Sequence, residues 1–353
     1  MNNSAIKTKK QSIIDDIKSK IRNGTYTDKL PSIYDLAEEY NVNFKTVNNA
    51  YQSLAESGII TSKKGGGSFI KKTKNSPIEN KMIPFFFPTR GHVYDPMYNT
   101  ISSKLVDNNF LPILIINDDA EKKREQLNKL MDSSIDKIII CHDKFFPYDI
   151  LKENEHRFKN ITFLVEKYSE IDFNANHILS DYWYGAYIAT KYLIDKGHER
   201  ILHINYKSGA PAEFYRYTSH YKICSGYKDA LAESGLSARE QYIFETDEQE
   251  HDEQVLYDLL ISENRPSAIF AAADSRLVSA MKVIRQIGLK VPDDLALVGY
   301  YNTPHCTEAD IPFTSVSIKE EEIVSEAVRK ILSSSNEKER IYIKPELIIR
   351  ASS

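Results

Sequence analysis

Four apolar residues, Val47, Ala50, Tyr51 and Leu54, recur at i, i+3, i+4 and i+7 between Asn43 and Ser57. That spacing puts them on one buried stripe of a helix. The opposite face carries Lys45, Thr46, Asn48, Asn49 and Gln52, donors and acceptors suited to phosphates and base edges. A shorter helix precedes it, with Ser32 placed as N-cap after Leu30-Pro31 and with Leu36, Ala37 and Tyr40 facing inward. Residues 39–43 have the length of a helix-turn-helix corner. After Gly58 the pattern changes to residues 59–64, three glycines and residues 68–72, two β-rich runs around a glycine tip. Lys63 and Lys64 flank that tip, which includes Gly66, and are placed to reach a phosphate backbone. The reading is a winged helix-turn-helix over residues 1–72. Ile13, Ile14, Ile17 and Ile21 form a further helical stripe behind it, ended by Asn23-Gly24.

Charge separates this head from the remainder. Residues 1–74 hold 13 Lys and Arg against 7 Asp and Glu, leaving 33 against 43 in the rest of a chain whose net charge is −4. A basic head on an acidic body suits a nucleic-acid reader with a separate control domain. The run 73–81 is polar, contains Pro77 and lacks periodicity, so it reads as a linker. Cys141, Cys224 and Cys306 are too far apart for a metal motif and are expected to be reduced and buried. The first residues lack the apolar run of a signal peptide and no later segment is long enough to span a membrane, so a cytoplasmic protein without membrane contact is expected.

From Met82 onward short apolar runs alternate with amphipathic stretches. Strands are expected at 83–87, 111–116, 137–141, 161–165, 177–179, 200–205, 241–244, 267–271 and 295–299. Helices fall between them at 93–109, 120–133, 181–196, 217–235, 252–263 and 274–287. Such alternation implies an α/β body of parallel sheets covered by helices on both faces. About 270 residues of it exceed one sheet and point to two lobes with a cleft between them. The boundaries read from the pattern are 82–178 with 306–335 for the first lobe, and 179–305 with 336–350 for the second. Residues 313–318 and helix 319–334 would then return to the first lobe and 341–349 to the second, making three crossings.

Two resemblances follow from particular residues. Leu30-Pro31-Ser32, Leu36-Ala37, Thr46-Val47, Ala50, Leu54, Gly58-Ile59-Ile60 and the glycine-phenylalanine wing resemble the DNA-binding domain of GntR-type bacterial regulators. Tyr34 and Phe44 stand where that family usually has arginines, and Asn48-Asn49 replaces another. Arginine is the commonest guanine reader and asparagine prefers adenine, so A·T-rich half-sites are expected. In the body, Asp181 to Ala186, Tyr192 to Ile201, Gly226 to Leu231, Pro266 to Asp274 and Gly288 to Tyr300 are similar, in order, to the blocks of LacI/GalR-type effector domains. The likeness implies the fold of periplasmic sugar-binding proteins over roughly 82–350. A GntR-type head on such a body resembles the arabinose repressors of bacteria.

In an open α/β sheet the cleft lies at the carboxyl ends of the strands. That selects Arg90 and Tyr94 after the first strand, Asp118 after the second, and Asp181, Trp183 and Tyr184 after the fifth. Phe214, Arg216 and Tyr217 follow the sixth, Asp274 the eighth, and Tyr301 and Asn302 the ninth. Rings beside planar polar groups suit a neutral sugar, a pentose or deoxyhexose, with a non-sugar small molecule as the alternative. The resemblance implies a ligand role most directly for Asp274. Asp181 also reads as the N-cap of helix 181–196, Trp183 equally as packing, and loop arginines as solvated charges. Two departures bear on the ligand: Ile223 stands where the family commonly has a sugar-gripping arginine, and Tyr301 replaces a family aspartate. Arg216 or Lys222 would have to substitute for the missing cation. No Gly-x-Ser-x-Gly, Walker, Gly-x-Gly-x-x-Gly or His-Glu-x-x-His motif occurs, so neither enzyme chemistry nor a metal or cofactor is expected. The expected function is a DNA-binding repressor, acting as a homodimer on duplex operator DNA and controlled by a small carbohydrate, with activation as the opposite sign.

Overall fold

The computed structural model describes residues 8–22, 24–63, 66–71, 79–87, 94–116, 119–141, 146–165, 171–206, 218–237, 242–246, 250–335 and 337–353. The chain forms two compact units, Met1–Asn80 and Lys81–Ser353.

In the first unit, α1 (Lys9–Arg22), α2 (Ile33–Glu39) and α3 (Phe44–Glu56) precede a hairpin of β1 (Ile60–Lys63) and β2 (Gly67–Ile70). The stripe Val47, Ala50, Tyr51 and Leu54 is buried against Ile13, Ile14, Ile17, Leu36 and Ile60. Ser32 caps α2 in a reciprocal box with Asp35, its hydroxyl accepting from Asp35 N at 3.1 Å. Tyr51 Oη donates to Pro31 O at 2.7 Å and ties α3 to the entry of α2. The hairpin pairs Lys63 with Gly67. Gly67, at φ +97, takes the left-handed position that the tip requires, whereas Gly66 does not.

The second unit contains two six-stranded sheets. The first is built from β3 (Met82–Phe87), β4 (Leu111–Ile116), β5 (Lys137–Cys141), β6 (Asn160–Val165), β7 (Asn176–Ser180) and β13 (Arg340–Ile343), in the order β13-β7-β6-β5-β3-β4, all parallel. The second has β8 (Ile201–Tyr206), β9 (Ile243–Thr246), β10 (Ala268–Ala271), β11 (Ala296–Tyr300), β12 (Thr314–Ser317) and β14 (Glu346–Ile348), in the order β14-β12-β11-β10-β8-β9. Only β14 in it is antiparallel. Their helices are α4 (Tyr94–Asp107), α5 (Ala120–Met131) and α6 (Tyr148–Glu153), then α7 (Tyr182–Asp195), α8 (Ser219–Glu233), α9 (Glu250–Ile261), α10 (Asp274–Ile287), α11 (His305–Glu308) and α12 (Glu320–Leu332). The architecture is the expected mixed α/β fold with two parallel-sheet lobes.

The tail departs from the expected boundaries. Strand β12, assigned from sequence to the first lobe, pairs with β11 in the second, Gly299 opposite Ser315. Helix α12 does return to the first lobe, against α4 and β6. The stretch 341–349, expected wholly in the second lobe, is split: Ile341 pairs with Ile178 in the first sheet and Leu347 with Val316 in the second. Strand β7 also runs through Ser180, so Leu179 and Ser180 stay with the first sheet. The chain therefore crosses between lobes three times, after β7, β12 and β13, and apolar packing is continuous across the crossings through Tyr182, Tyr300, Val316 and Ile318.

His203, on β8, is completely buried between the rings of Tyr227 and Phe270, at 5.0 and 5.1 Å. Its Nδ1 lies 3.0 Å from Phe270 O, so the neutral ring donates there. Burial holds its pKa down at about 4, against 6.5 for a free imidazole. The unfolded chain takes up a proton near pH 6.5 that the folded chain refuses until about pH 4, so stability present above 6.5 is lost as pH falls through that window. Urea titrations at pH 7 and pH 4 should show wild type losing about 3 kcal/mol more than His203→Phe. Equal losses in the two proteins would remove His203 from the acid response.

Candidate functional site

On the first unit, the outer face of α3 exposes Phe44, Lys45, Asn48, Asn49 and Gln52, while Thr46 is half-buried. Asn43 is the N-cap of α3, its Oδ1 accepting from Lys45 N at 2.9 Å. Tyr34 on α2 is exposed and stacks on Phe44, ring centroids 5.8 Å apart. A groove of about 960 Å³ runs between α3 and the hairpin, lined among others by Ser32, Tyr34, Asn48, Gln52, Lys63 and Gly66. Lys29 and Lys63 each hold an ammonium 5.6 Å from the ring centre of Phe69, on the hairpin side. Lys64 lies outside the described residues. The face thus offers cations at the wing, amides on the helix and an aromatic pair at the helix start, the equipment for phosphate and base-edge contact.

On the second unit, the predicted ligand residues divide sharply. Arg90, Asp118, Phe214, Arg216 and Tyr217 lie outside the described residues. Asp274, the residue most directly implied, has no exposed surface. Its Oδ2 accepts from Thr303 N at 2.7 Å and Thr303 Oγ1 at 2.9 Å, and its Oδ1 from Ser315 Oγ at 2.6 Å. Gly299 is pressed against the same carboxyl, where a Cβ would collide with Oδ1. Burial pushes this carboxyl's pKa up. The neighbouring Cys306 thiol is likewise pushed up to about 12 by burial. In this structure Asp274 joins the start of α10 to the 301–303 turn and β12 through these bonds. Asn302 serves the same turn, its Oδ1 accepting from Arg350 Nη2 at 2.6 Å. Tyr301, at φ +86, packs edge-on against Tyr182 and Tyr300.

Of the paired readings, Asp181 is the N-cap of α7, accepting from Tyr184 N at 3.0 Å. Trp183 binds Asp229 Oδ2 at 2.7 Å and stacks on Tyr187, clasping α7 to α8 on an exposed face. Tyr184 is half-buried beneath Lys344 Nζ, 5.1 Å from its ring centre, and Tyr94 packs edge-on against Phe87.

A different group gathers at the carboxyl ends of β8 and β10. The Arg276 guanidinium lies 3.9 Å over the ring of Tyr206, and His220 packs against the same ring at 4.9 Å. Tyr206 Oη is 3.4 Å from Ser275 Oγ. Asn205 is completely buried and donates to His220 O at 3.3 Å. Asn205 Oδ1 and His220 Nδ1 are buried atoms with no hydrogen-bond partner among the described residues. Burial, then the charge of Arg276, holds the His220 pKa down at about 4, so the ring is neutral at pH 7. The cluster combines an aromatic face, a cation, a neutral imidazole and a planar amide. Among the described residues no set of three or more His, Cys, Asp or Glu is placed to hold a metal ion.

The chain's likeness to known proteins bears out this two-part organisation. Residues 9–70 match the bacterial regulatory proteins of the gntR family, and residues 190–353 match a periplasmic binding protein-like domain. The HTH-type transcriptional repressor PurR of Vibrio campbellii is 30% identical over 237 residues, 65% of this chain and 68% of that protein. The chain belongs to the LacI-type transcriptional repressors. It is a DNA-binding transcription regulator whose head is of the gntR kind. Two solved structures share the fold. The transcriptional regulator CelR–cellobiose complex superimposes with a TM-score of 0.67 at 19% identity, over 92% of this chain and 100% of that one. A LacI-family regulator from Enterococcus faecium with bound ribose gives 0.65 at 20% identity, over 77% and 98%.

In this repressor Ile223 is 1% exposed and sits in the core, so the missing family arginine is not replaced at its own position. Arg276, in the first turn of α10, brings a guanidinium to the ends of β8 and β10. Sequence reasoning missed it, along with Asn205, Tyr206 and His220. The available signal was Asn205-Tyr206 closing a strand, and an arginine two residues beyond Asp274 on a helix start. No helix among the described residues is long and apolar enough to cross a membrane.

Proposed function

We propose that this repressor binds a small carbohydrate at the carboxyl ends of β8 and β10, and that the ligand sets the affinity of the head for duplex operator DNA. The cluster of Asn205, Tyr206, His220 and Arg276 carries this reading. A sugar packs its C–H face on a ring and needs planar polar partners for its hydroxyls, and these four side chains supply both. The cellobiose and ribose bound by the two structural neighbours support the ligand class. Few charged grips beside several rings favour a pentose or deoxyhexose among candidates. A homodimer on a palindromic site is part of the proposal, because one recognition helix makes too few contacts for operator affinity. Sugar closing the two lobes would change operator affinity by about 5- to 150-fold, the range of ordinary allosteric coupling.

A thermal-shift screen of the full chain against pentoses, hexoses, disaccharides, sugar phosphates and flat heterocycles tests the ligand. A true effector at a hundred times its Kd should stabilise the body by about 2.7 kcal/mol. Tyr206→Ala should remove that gain. A shift produced by heterocycles alone would replace the carbohydrate with the non-sugar alternative, and a sugar shift untouched by Tyr206→Ala would move the site.

A further inference from the structure

The stacked pair of Tyr34 and Phe44 is unusual for a surface. Tyr34 is 72% exposed and Phe44 44% exposed, yet their rings lie 5.8 Å apart and 30° from parallel. Phe44 is the first residue of α3 and Tyr34 lies in the first turn of α2, so the pair links the N-terminal ends of the two helices. Tyr34 also lines the groove that holds Asn48 and Gln52. The N-terminal residues of a recognition helix are those that meet base edges in the major groove. Two exposed rings there would be a liability in water unless apolar surface covers them on binding.

We infer that Tyr34 and Phe44 form an apolar reading element for the 5-methyl groups of thymine. This rests on the head binding duplex DNA. In the major groove thymine alone among the four bases presents a methyl group, so an apolar ring at the base edges discriminates T·A from C·G by contact instead of by hydrogen bonds. The pairing with amides is coherent. Asn48 and Asn49 are exposed on the same helix, one turn along from Phe44, and asparagine suits adenine N6 and N7. Helix α3 holds no arginine, the side chain best matched to guanine. Neighbouring A·T pairs would therefore be read twice, adenine through an amide and thymine through a ring. Mutual stacking holds each ring's orientation before DNA arrives, which limits the ordering required on binding.

The test uses the full chain and an operator recovered from random duplexes. Each thymine of the half-site is replaced singly by deoxyuridine, which removes the methyl and keeps the pairing. Wild type should lose about fourfold in affinity for each contacted methyl, at one or two positions per half-site. In Phe44→Ala the penalty at those positions should vanish, and in Phe44→Leu it should persist. The deoxyuridine series needs no variant, so the inference stays open to refutation even where Phe44→Ala fails to fold. Specific binding with every deoxyuridine tolerated within twofold would overturn the apolar readout while leaving the regulator reading intact. Retention of no duplex at all would sink both.

Discussion

Asp274→Ala is expected to destabilise the body by about 3–5 kcal/mol, because three donors lose their acceptor in a site that water does not reach. Thr303 N, Thr303 Oγ1 and Ser315 Oγ all donate to this carboxyl, and Ser315 has no exposed surface. Each buried donor left unsatisfied costs about 1–3 kcal/mol, and relaxation of the 301–303 turn recovers part of the sum. Asp274→Asn should cost about half as much, since it retains one acceptor oxygen but turns an N–H₂ toward groups that themselves donate. Equilibrium unfolding in urea, followed on the body's transition, reads both. The outcome that would return Asp274 to the ligand site is equally definite: unchanged unfolding together with complete loss of the sugar response.

The contrast between expectation and structure at Asp274 shows which information the sequence carries. An aspartate at a strand end that opens a helix is a sound local reading, and α10 does run Asp274–Ile287 as expected. Its burial depends on Thr303 and Ser315, which come to it from 29 and 41 residues away. Periodicity in one segment holds no trace of that. The same limit explains β12. Its extended character is visible in Thr314–Ser317, but nothing local says whether it pairs with β11 or joins the first sheet. Strands β4 and β5 appear over the expected residues, 111–116 and 137–141, because a short continuous apolar run marks a parallel strand whether it is buried, as β5 is, or half-buried at the sheet edge, as β4 is. The six-residue α6 and four-residue α11 are too short for a helical period to register. In the candidate site, Arg276 reads as an ordinary helical cation until the ring of Tyr206, 70 positions earlier, is placed beneath it.

Gly226→Ala is the second substitution expected to have a large effect, about 3 kcal/mol or more, and here the resemblance to LacI/GalR-type blocks acquires a physical reason. Gly226 lies on α8 where that helix presses on α7. A Cβ there would overlap the backbone carbonyl oxygen of Trp183 and stand 3.0 Å from Ala186 Cβ. A backbone atom cannot rotate away as a side chain does, so the helices must separate. Separation would strain the neighbouring contacts, including the Tyr227 Oη bond to Ile201 O at 2.8 Å and the Trp183 bond to Asp229. The comparison that isolates the clash is Gly235→Ala. Gly235 has φ +74 with open space around it, so alanine there meets only the left-handed backbone cost of about 1–2 kcal/mol. Urea unfolding should therefore rank Gly226→Ala as the more damaging, although its backbone is the more ordinary of the two. The reverse order would mean that α7 and α8 slide apart at little cost. Tight seating of α8 on α7 also bears on the effector proposal. His220 belongs to α8, and α7 begins where the chain leaves the first sheet after β7, so the proposed ligand cluster and one of the three crossings are joined through this packed helix pair.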